Sequence, residues 1–255
     1  MIRSARLAAL ALLASLGLSA CSSSGGGDGS AGGTVTVFAA ASLKESFTVL
    51  GERFEEDHPG TEVTFNFNGS DSLAAGIVGG APADVYAAAS SSTMARVTDE
   101  KLTAGDPVTF ARNRLAVATA PGNPHGIDSL EDLAAPGLKV VLCDGTVPCG
   151  AAARKALAAA GVEVRPVSYE QDVKSALTKV RLDEADAAVV YRTDVRAAGD
   201  TVDGVDFPEA AQAVNDYPIA RLENAPNAPA ADAFVAFVTS PEGQKVLGKA
   251  GFLAP

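Results

Sequence analysis

From residue 34 onward, short apolar runs alternate with stretches in which apolar residues recur every three or four positions. Thr34 to Phe38, Val63 to Phe67 and Asp84 to Ala88 read as strands. Leu43, Phe47, Leu50 and Phe54 fall on one helical face after Ser42. Short helices are predicted over Leu73 to Val78 and Thr93 to Glu100, and a strand over Arg114 to Thr119. Further along come a helical turn at Leu130 to Leu133, a strand from Lys139 to Leu142 and an Ala-rich helix from Ala151 to Ala160, stopped by Gly161. A strand over Val164 to Ser168, a helix over Asp172 to Arg181 and a strand over Ala187 to Tyr191 follow. The last helical pattern runs from Phe234 to Lys249, with Pro241 as an interruption or a boundary between two helices.

Strand–helix alternation of this kind predicts α/β units with mainly parallel sheets. Val108 to Thr119 and Val214 to Leu222 are β-rich without a long helix after them, as expected of segments that carry the chain from one lobe to another and back. The expected division is a first lobe from residues 34–112 and 219–255 and a second lobe from 113–218, with a two-segment hinge and a cleft between them.

The first 33 residues follow a different pattern. Arg3 and Arg6 precede an apolar run from Leu7 to Leu18 that is short for a membrane span. Leu18-Ser19-Ala20-Cys21 then resembles a bacterial lipobox, in which the cysteine is lipidated and becomes the new N-terminus; an ordinary secretory signal is the alternative. Residues 1–20 are thus expected to be a signal peptide. Residues 21–33, almost all Ser and Gly, are a flexible tether. The mature chain would be a lipid-anchored protein on the outer face of the cytoplasmic membrane. A formal net charge of −11 over 255 residues argues against nucleic acid as a partner.

With Cys21 assigned to the lipid, Cys143 and Cys149 remain, and an exported chain favours a disulfide between them. A reactive thiol or a metal site is the alternative. The only histidines, His58 and His125, stand at no metal-ligand spacing from these cysteines, so no metal ligand is expected.

In open α/β sheets, ligands bind beyond the carboxyl ends of strands, at helix N-termini. There the chain reads Ala39-Ala40-Ala41-Ser42, then Asn68-Gly69-Ser70, then Val147-Pro148-Cys149-Gly150. Small residues allow close backbone approach, and free amides at a helix start favour an anion. Ser42-Leu43-Lys44-Glu45 is also a good capping box, which alone would explain that serine. Tyr191 ends a strand with a phenol, and a buried tyrosine with a local partner is its ordinary reading.

The run from Val37 to Leu43, Asn68-Gly69-Ser70, Ala81-Pro82-Ala83-Asp84, Val147-Pro148-Cys149-Gly150, Asp172-Val173 and Val190-Tyr191 occur in this order. As a set they resemble the periplasmic molybdate-binding proteins (ModA-like) of ABC transporters, over essentially the whole chain after the tether. The resemblance implies a type II periplasmic-binding-protein fold and a tetrahedral oxyanion, molybdate or tungstate, held by neutral donors. Carried over by motif, Ser42 and Ser70 donate hydroxyl and backbone N–H. Cys149 and Val173 donate backbone N–H, and Tyr191 donates its hydroxyl. Many family members have Ala where Cys149 stands; only the amide is used there. No cofactor is implied, and the partner is a membrane permease that receives the oxyanion from a monomeric binding protein.

A site of donors alone would discriminate against phosphate, which carries a proton near neutral pH. Asp71, Asp144 and Asp172 lie close to these motifs, and any of them turned inward would undo that discrimination. Sulfate, thiosulfate or phosphate is the alternative cargo. An exported hydrolase is the alternative class, without a Gly-x-Ser-x-Gly elbow or a nucleophile beside either histidine.

Overall fold

The computed structural model describes residues 32–255. Cys21, the signal segment and the tether up to residue 31 lie outside the described residues. In chain order the elements are β1 (Gly33–Ala40), α1 (Lys44–Asp57), β2 (Thr61–Asn68), α2 (Ser70–Val78), β3 (Val85–Ala87), α3 (Ser91–Thr98), β4 (Val108–Asn113), β5 (Leu115–Thr119), β6 (Val140–Cys143) and α4 (Pro148–Ala160). Then follow β7 (Ser168–Glu170), α5 (Val173–Arg181), β8 (Ala187–Tyr191), α6 (Arg192–Ala198), β9 (Asp203–Val205), β10 (Asn215–Arg221), α7 (Ala228–Thr239) and α8 (Pro241–Ala250).

These strands form two five-stranded sheets, ordered β2-β1-β3-β10-β4 and β7-β6-β8-β5-β9. The sheets share one design. In the first, β1 runs parallel to β2 and β3, while β10 is antiparallel to β3 and β4. In the second, β6 runs parallel to β7 and β8, while β5 is antiparallel to β8 and β9. The parallel strands are those followed by crossover helices, as parallel pairing requires. The antiparallel ones include the strands that enter and leave each half, which is why the sheets are mixed.

The chain passes from the first sheet to the second at a single residue, Arg114, between β4 and β5. It returns just before β10. From Asn215 onward β10 pairs wholly within the first sheet, Asn215 opposite Asn113 and Asp216 opposite Arg112, so the return lies ahead of 215 rather than at 218/219. An ion pair of 2.8 Å between Arg112 Nε and Asp216 Oδ1 ties the two crossings together.

The predicted helical face of α1 buries Phe47, Leu50 and Phe54 completely. Phe47 meets Phe65, Phe110 and Phe234, with ring centroids 6.2, 5.6 and 6.2 Å away, so β2, β4 and α7 are all anchored on one ring. Gly161 caps α4 at φ +69°, where only glycine sits without cost. The final helical pattern is two helices, divided at Ser240, whose hydroxyl accepts from Gly243 N to start α8.

Two expectations differ from the structure. The strand expected over Val164 to Ser168 forms only at Ser168–Glu170, because Pro166 has no N–H to place in a ladder. α6 and β9 were not expected. α6 buries Thr193 and Asp194 in place of an apolar stripe, and β9 has a single large apolar residue, so neither leaves a periodic signal.

Replacing Phe47 with Ala is expected to destabilise the protein by about 3–5 kcal/mol in urea unfolding, the cost of a large cavity in a packed core. A loss under 1 kcal/mol would show that the site collapses freely.

Candidate anion-binding site

The carboxyl ends of β1 and β2 from the first sheet face the loops after β6, β7 and β8 from the second. Between them lies a cavity of about 20 Å³. That exceeds the roughly 10–15 Å³ needed for one water and is far below a drug-sized pocket. Ser42, Ser70, Cys149, Val173 and Tyr191 all line it, with Ala40, Ala41, Gly69, Ala89, Val147, Pro148, Gln171 and Asp172. The five residues singled out in the sequence are thus brought to one place, from both halves of the molecule.

Each helix start contributes in its own way. Ser42 lies in a short 3-10 turn (Ala41–Leu43) that runs into α1 and makes no side-chain cap. Its Oγ sits 2.9 Å from Tyr217 Oη, so the capping-box reading does not hold. Ser70 is the first residue of α2, and its Oγ accepts from Ala89 N at 3.0 Å instead of capping its helix. Pro148 opens α4, which leaves the amides of Cys149 and Gly150 among the N-terminal donors that no helical turn can satisfy. Val173 opens α5. Asp172 caps that helix through Lys174 N and Ser175 N, at 2.8 and 3.0 Å, and leaves Val173 N uncapped.

Cys143 and Cys149 are joined by a disulfide. It links the end of β6 to the first turn of α4 and holds the loop that presents the Cys149 amide. Gly150 permits this turn, since a Cβ there would stand 1.9 Å from Asp144 O.

Asp172 and Asp144, two of the three carboxylates near the site, are engaged elsewhere, whereas Asp71 Oδ1 stands beside Gly69. Both Asp172 oxygens serve α5, Oδ2 accepting from Ser175 Oγ at 2.8 Å. Asp144 accepts from Thr146 N and Oγ1 and stays at the surface. Asp71, at the second position of α2, does not line the cavity; its Oδ1 is buried without a hydrogen-bond partner among the described residues. The Asp84 motif is structural. Its carboxylate accepts from Thr36 N at 2.7 Å and Asn227 N at 2.6 Å, stitching β1 to the start of α7. No Lys or Arg lines the cavity, so any anion there is met by amides and hydroxyls.

Tyr191 is fully buried, and that burial, then the nearby Tyr217, raises its phenol well above the usual range. Burial raises Tyr217 likewise. Both remain neutral O–H groups at any ordinary pH.

Three contacts that the sequence did not announce hold the halves together. Asn215 Nδ2 donates to Ala89 O (2.9 Å), to Pro148 O (3.4 Å) and to Tyr191 Oη (2.7 Å). Gly69 lies so close to the second half that a Cβ would be 2.6 Å from Gln171 O. Lys174 Nζ reaches Glu45 of α1 at 2.7 Å and Asp194 of α6 at 3.0 Å. Burial alone lowers the Lys174 pKa, but Asp194 and Glu45 outweigh it and leave it raised. Asp194 has no exposed surface, and burial pushes its carboxyl up to about 6 against the pull of Lys174.

The Asp194 value in the folded protein lies above its ordinary 3.8. Its stabilising contribution is therefore complete below the unfolded value and is lost as pH rises through about 6. The melting temperature of the protein minus that of Asp194→Asn should grow as pH falls from about 7 to about 5. A flat difference would show that Asp194 does not titrate there.

Residues 35–253 match the family described as bacterial extracellular solute-binding protein. The protein named molybdate-binding protein ModA from Mycobacterium tuberculosis (strain H37Rv) is 43% identical over 244 residues, 94% of each chain. Among solved structures, the Azotobacter vinelandii periplasmic molybdate-binding protein superposes with a TM-score of 0.77 at 19% identity, covering 87% of this chain and 99% of that one. The sulfate-binding protein SubI from Mycobacterium tuberculosis superposes with a TM-score of 0.74 at 20% identity, covering 86% of each. At such identities the superpositions establish the fold, which carries more than one oxyanion-binding protein. The family match over nearly all the described residues and the 43% identity agree with the two-sheet architecture and its intervening cavity: the chain belongs to the bacterial extracellular solute-binding protein family.

Proposed function

We propose that this chain captures molybdate or tungstate in the cavity between its two sheets and delivers it to the membrane permease of an ABC importer. The observation that carries the reading is the convergence of four helix starts, from both halves, on a cavity lined without Lys or Arg. The 43% identity to a protein named for molybdate binding supports the choice of cargo. In this reading Ser42, Ser70 and Tyr191 donate hydroxyl protons, and the amides of Ser42, Ser70, Cys149 and Val173 donate N–H.

Hydrogen bonds to an ionised partner contribute about 1.5–3 kcal/mol each net. Several of them in a site closed from water reach roughly −8 kcal/mol or better, a sub-micromolar affinity. A fully ionised dianion satisfies every donor, whereas a protonated oxyanion brings one O–H that only an acceptor can meet. The turned-away carboxylates of Asp144 and Asp172 support that discrimination.

The lobes proposed to close on the ligand are the first sheet with α1, α2, α3, α7 and α8, and the second sheet with α4, α5 and α6. Arg114 and the residues just before Asn215 act as the hinge. Lipidation at Cys21 would hold the monomeric protein at the outer face of the membrane, beside its permease. The role is that of a carrier, with no catalytic step and no cofactor.

Calorimetric titration of the purified protein is expected to show tight one-to-one binding of molybdate and tungstate and little heat with sulfate or phosphate. Ser42→Ala and Ser70→Ala should each weaken molybdate binding by roughly 10- to 100-fold, the loss of one charge-assisted hydrogen bond. Gly69→Ala should also weaken it at least tenfold by blocking the approach to Gln171, with the fold retained. Preferential sulfate binding would keep the site and change the cargo. Silence with all four anions would reduce the cavity to a packing feature.

A further inference from the structure

We propose that Asn113 and Asn215, the paired asparagines at the two crossings, set the direction of the site's hydroxyl groups and thereby decide which oxyanions the cavity accepts. This rests on the oxyanion reading above and goes beyond it, because neither asparagine is among the donors assigned to the ligand.

A hydroxyl has one proton to give and two lone pairs to receive, and it rotates to suit its neighbours. A serine or tyrosine facing a ligand is therefore a donor only if something else occupies its oxygen as an acceptor. All three cavity hydroxyls meet that condition. Ser70 Oγ receives the backbone N–H of Ala89, a group that can only donate. Tyr191 Oη receives Asn215 Nδ2 at 2.7 Å. Ser42 Oγ is 2.9 Å from Tyr217 Oη, and either hydroxyl can donate to the other; Tyr217 itself receives Asn113 Nδ2 at 3.3 Å, and in this proposal it directs its own proton to Ser42. The remaining protons of Ser42 and Ser70 are left to point at the ligand, whereas the Tyr191 hydroxyl also neighbours that of Tyr217, and an oxyanion must draw its proton away from there.

The asparagine amides cannot turn around without cost. Asn113 Oδ1 accepts from Arg114 N at 2.9 Å, and its Nδ2 also donates to Thr193 Oγ1 at 2.8 Å. Asn215 Nδ2 faces the carbonyl oxygens of Ala89 and Pro148, so a flipped amide would set oxygen against oxygen. Asn113 is buried, and the two residues are register partners in the β4–β10 ladder. The amide directions are thus fixed by backbone groups, and the hydroxyl directions follow from them. Asn113 and Asn215 are positioning residues for a site that gives protons and receives none.

The test compares two dianions that differ by one proton, molybdate and monohydrogen phosphate, at a pH where inorganic phosphate carries two charges. Both are titrated into the full protein and into Asn215→Ala, Asn113→Ala and Tyr217→Phe, with melting curves to verify folding. Asn215→Ala and Tyr217→Phe each remove the proton that a cavity hydroxyl receives, and Asn113→Ala releases Tyr217 to turn its proton away from Ser42, so that in every variant a cavity oxygen is freed to accept from phosphate. The expected result is a preference for molybdate over monohydrogen phosphate that falls about tenfold in each variant. A structural role alone would weaken both anions in parallel and leave the ratio unchanged, and that outcome overturns the proposal while the oxyanion reading stands. If the alanine variants do not fold, Tyr217→Phe, which keeps the ring and its packing, decides by the same ratio. Absence of molybdate binding in the unaltered protein would overturn both the reading and this inference.

Discussion

Helix starts that face one another across a small space carry like partial charges, about half a positive unit each. Four such starts meet here, at Ser42, Ser70, Cys149 and Val173. Bringing them together is unfavourable unless an anion stands between them, so the two halves of the chain share one electrostatic requirement. The rest of the molecule arranges for it to be met. The parallel strands deliver their helices to one edge of each sheet, and the crossings at Arg114 and ahead of Asn215 turn those edges toward each other.

The contacts between the halves answer the same requirement without supplying a competing charge inside the cavity. Lys174 sits next to Val173 in sequence, yet its ammonium is drawn away to Glu45 and Asp194. A cation left in the cavity would hold any anion, including protonated ones, whereas amides and hydroxyls impose a geometry and a direction of donation. Gly69 contributes by what it lacks, since its bare Cα lets the Gln171 carbonyl approach.

Much of the fold was legible because apolar periodicity is strong where elements are ordinary. The Phe47, Leu50 and Phe54 face, the buried run of β8 and the stop at Gly161 all announce themselves. The five cavity residues were legible through an ordered set of short motifs and not through any one of them, since Ser42 alone reads as a cap. What stayed hidden depends on contacts between residues far apart in sequence. Asn113 and Asn215 are separated by most of the second half, and nothing local distinguishes them from other polar strand residues. α6 was illegible for a related reason: it buries Thr193 and Asp194, and a buried polar helix looks like a surface loop. The direction of each hydroxyl cannot be read from residue types at all, because serine and tyrosine both give and receive.

The disulfide between Cys143 and Cys149 spans a sequence separation of only six. So small a ring restrains the unfolded chain modestly, by about 2 kcal/mol in the loop-entropy picture. Its weight falls instead on the neighbourhood of the Cys149 amide, which makes the second half of the cavity sensitive to the surrounding redox medium. Thiols stay reduced in the cytosol and oxidise outside it. Reducing the bond would release the first turn of α4 from the end of β6, so an oxidising medium favours the cavity in the form described here.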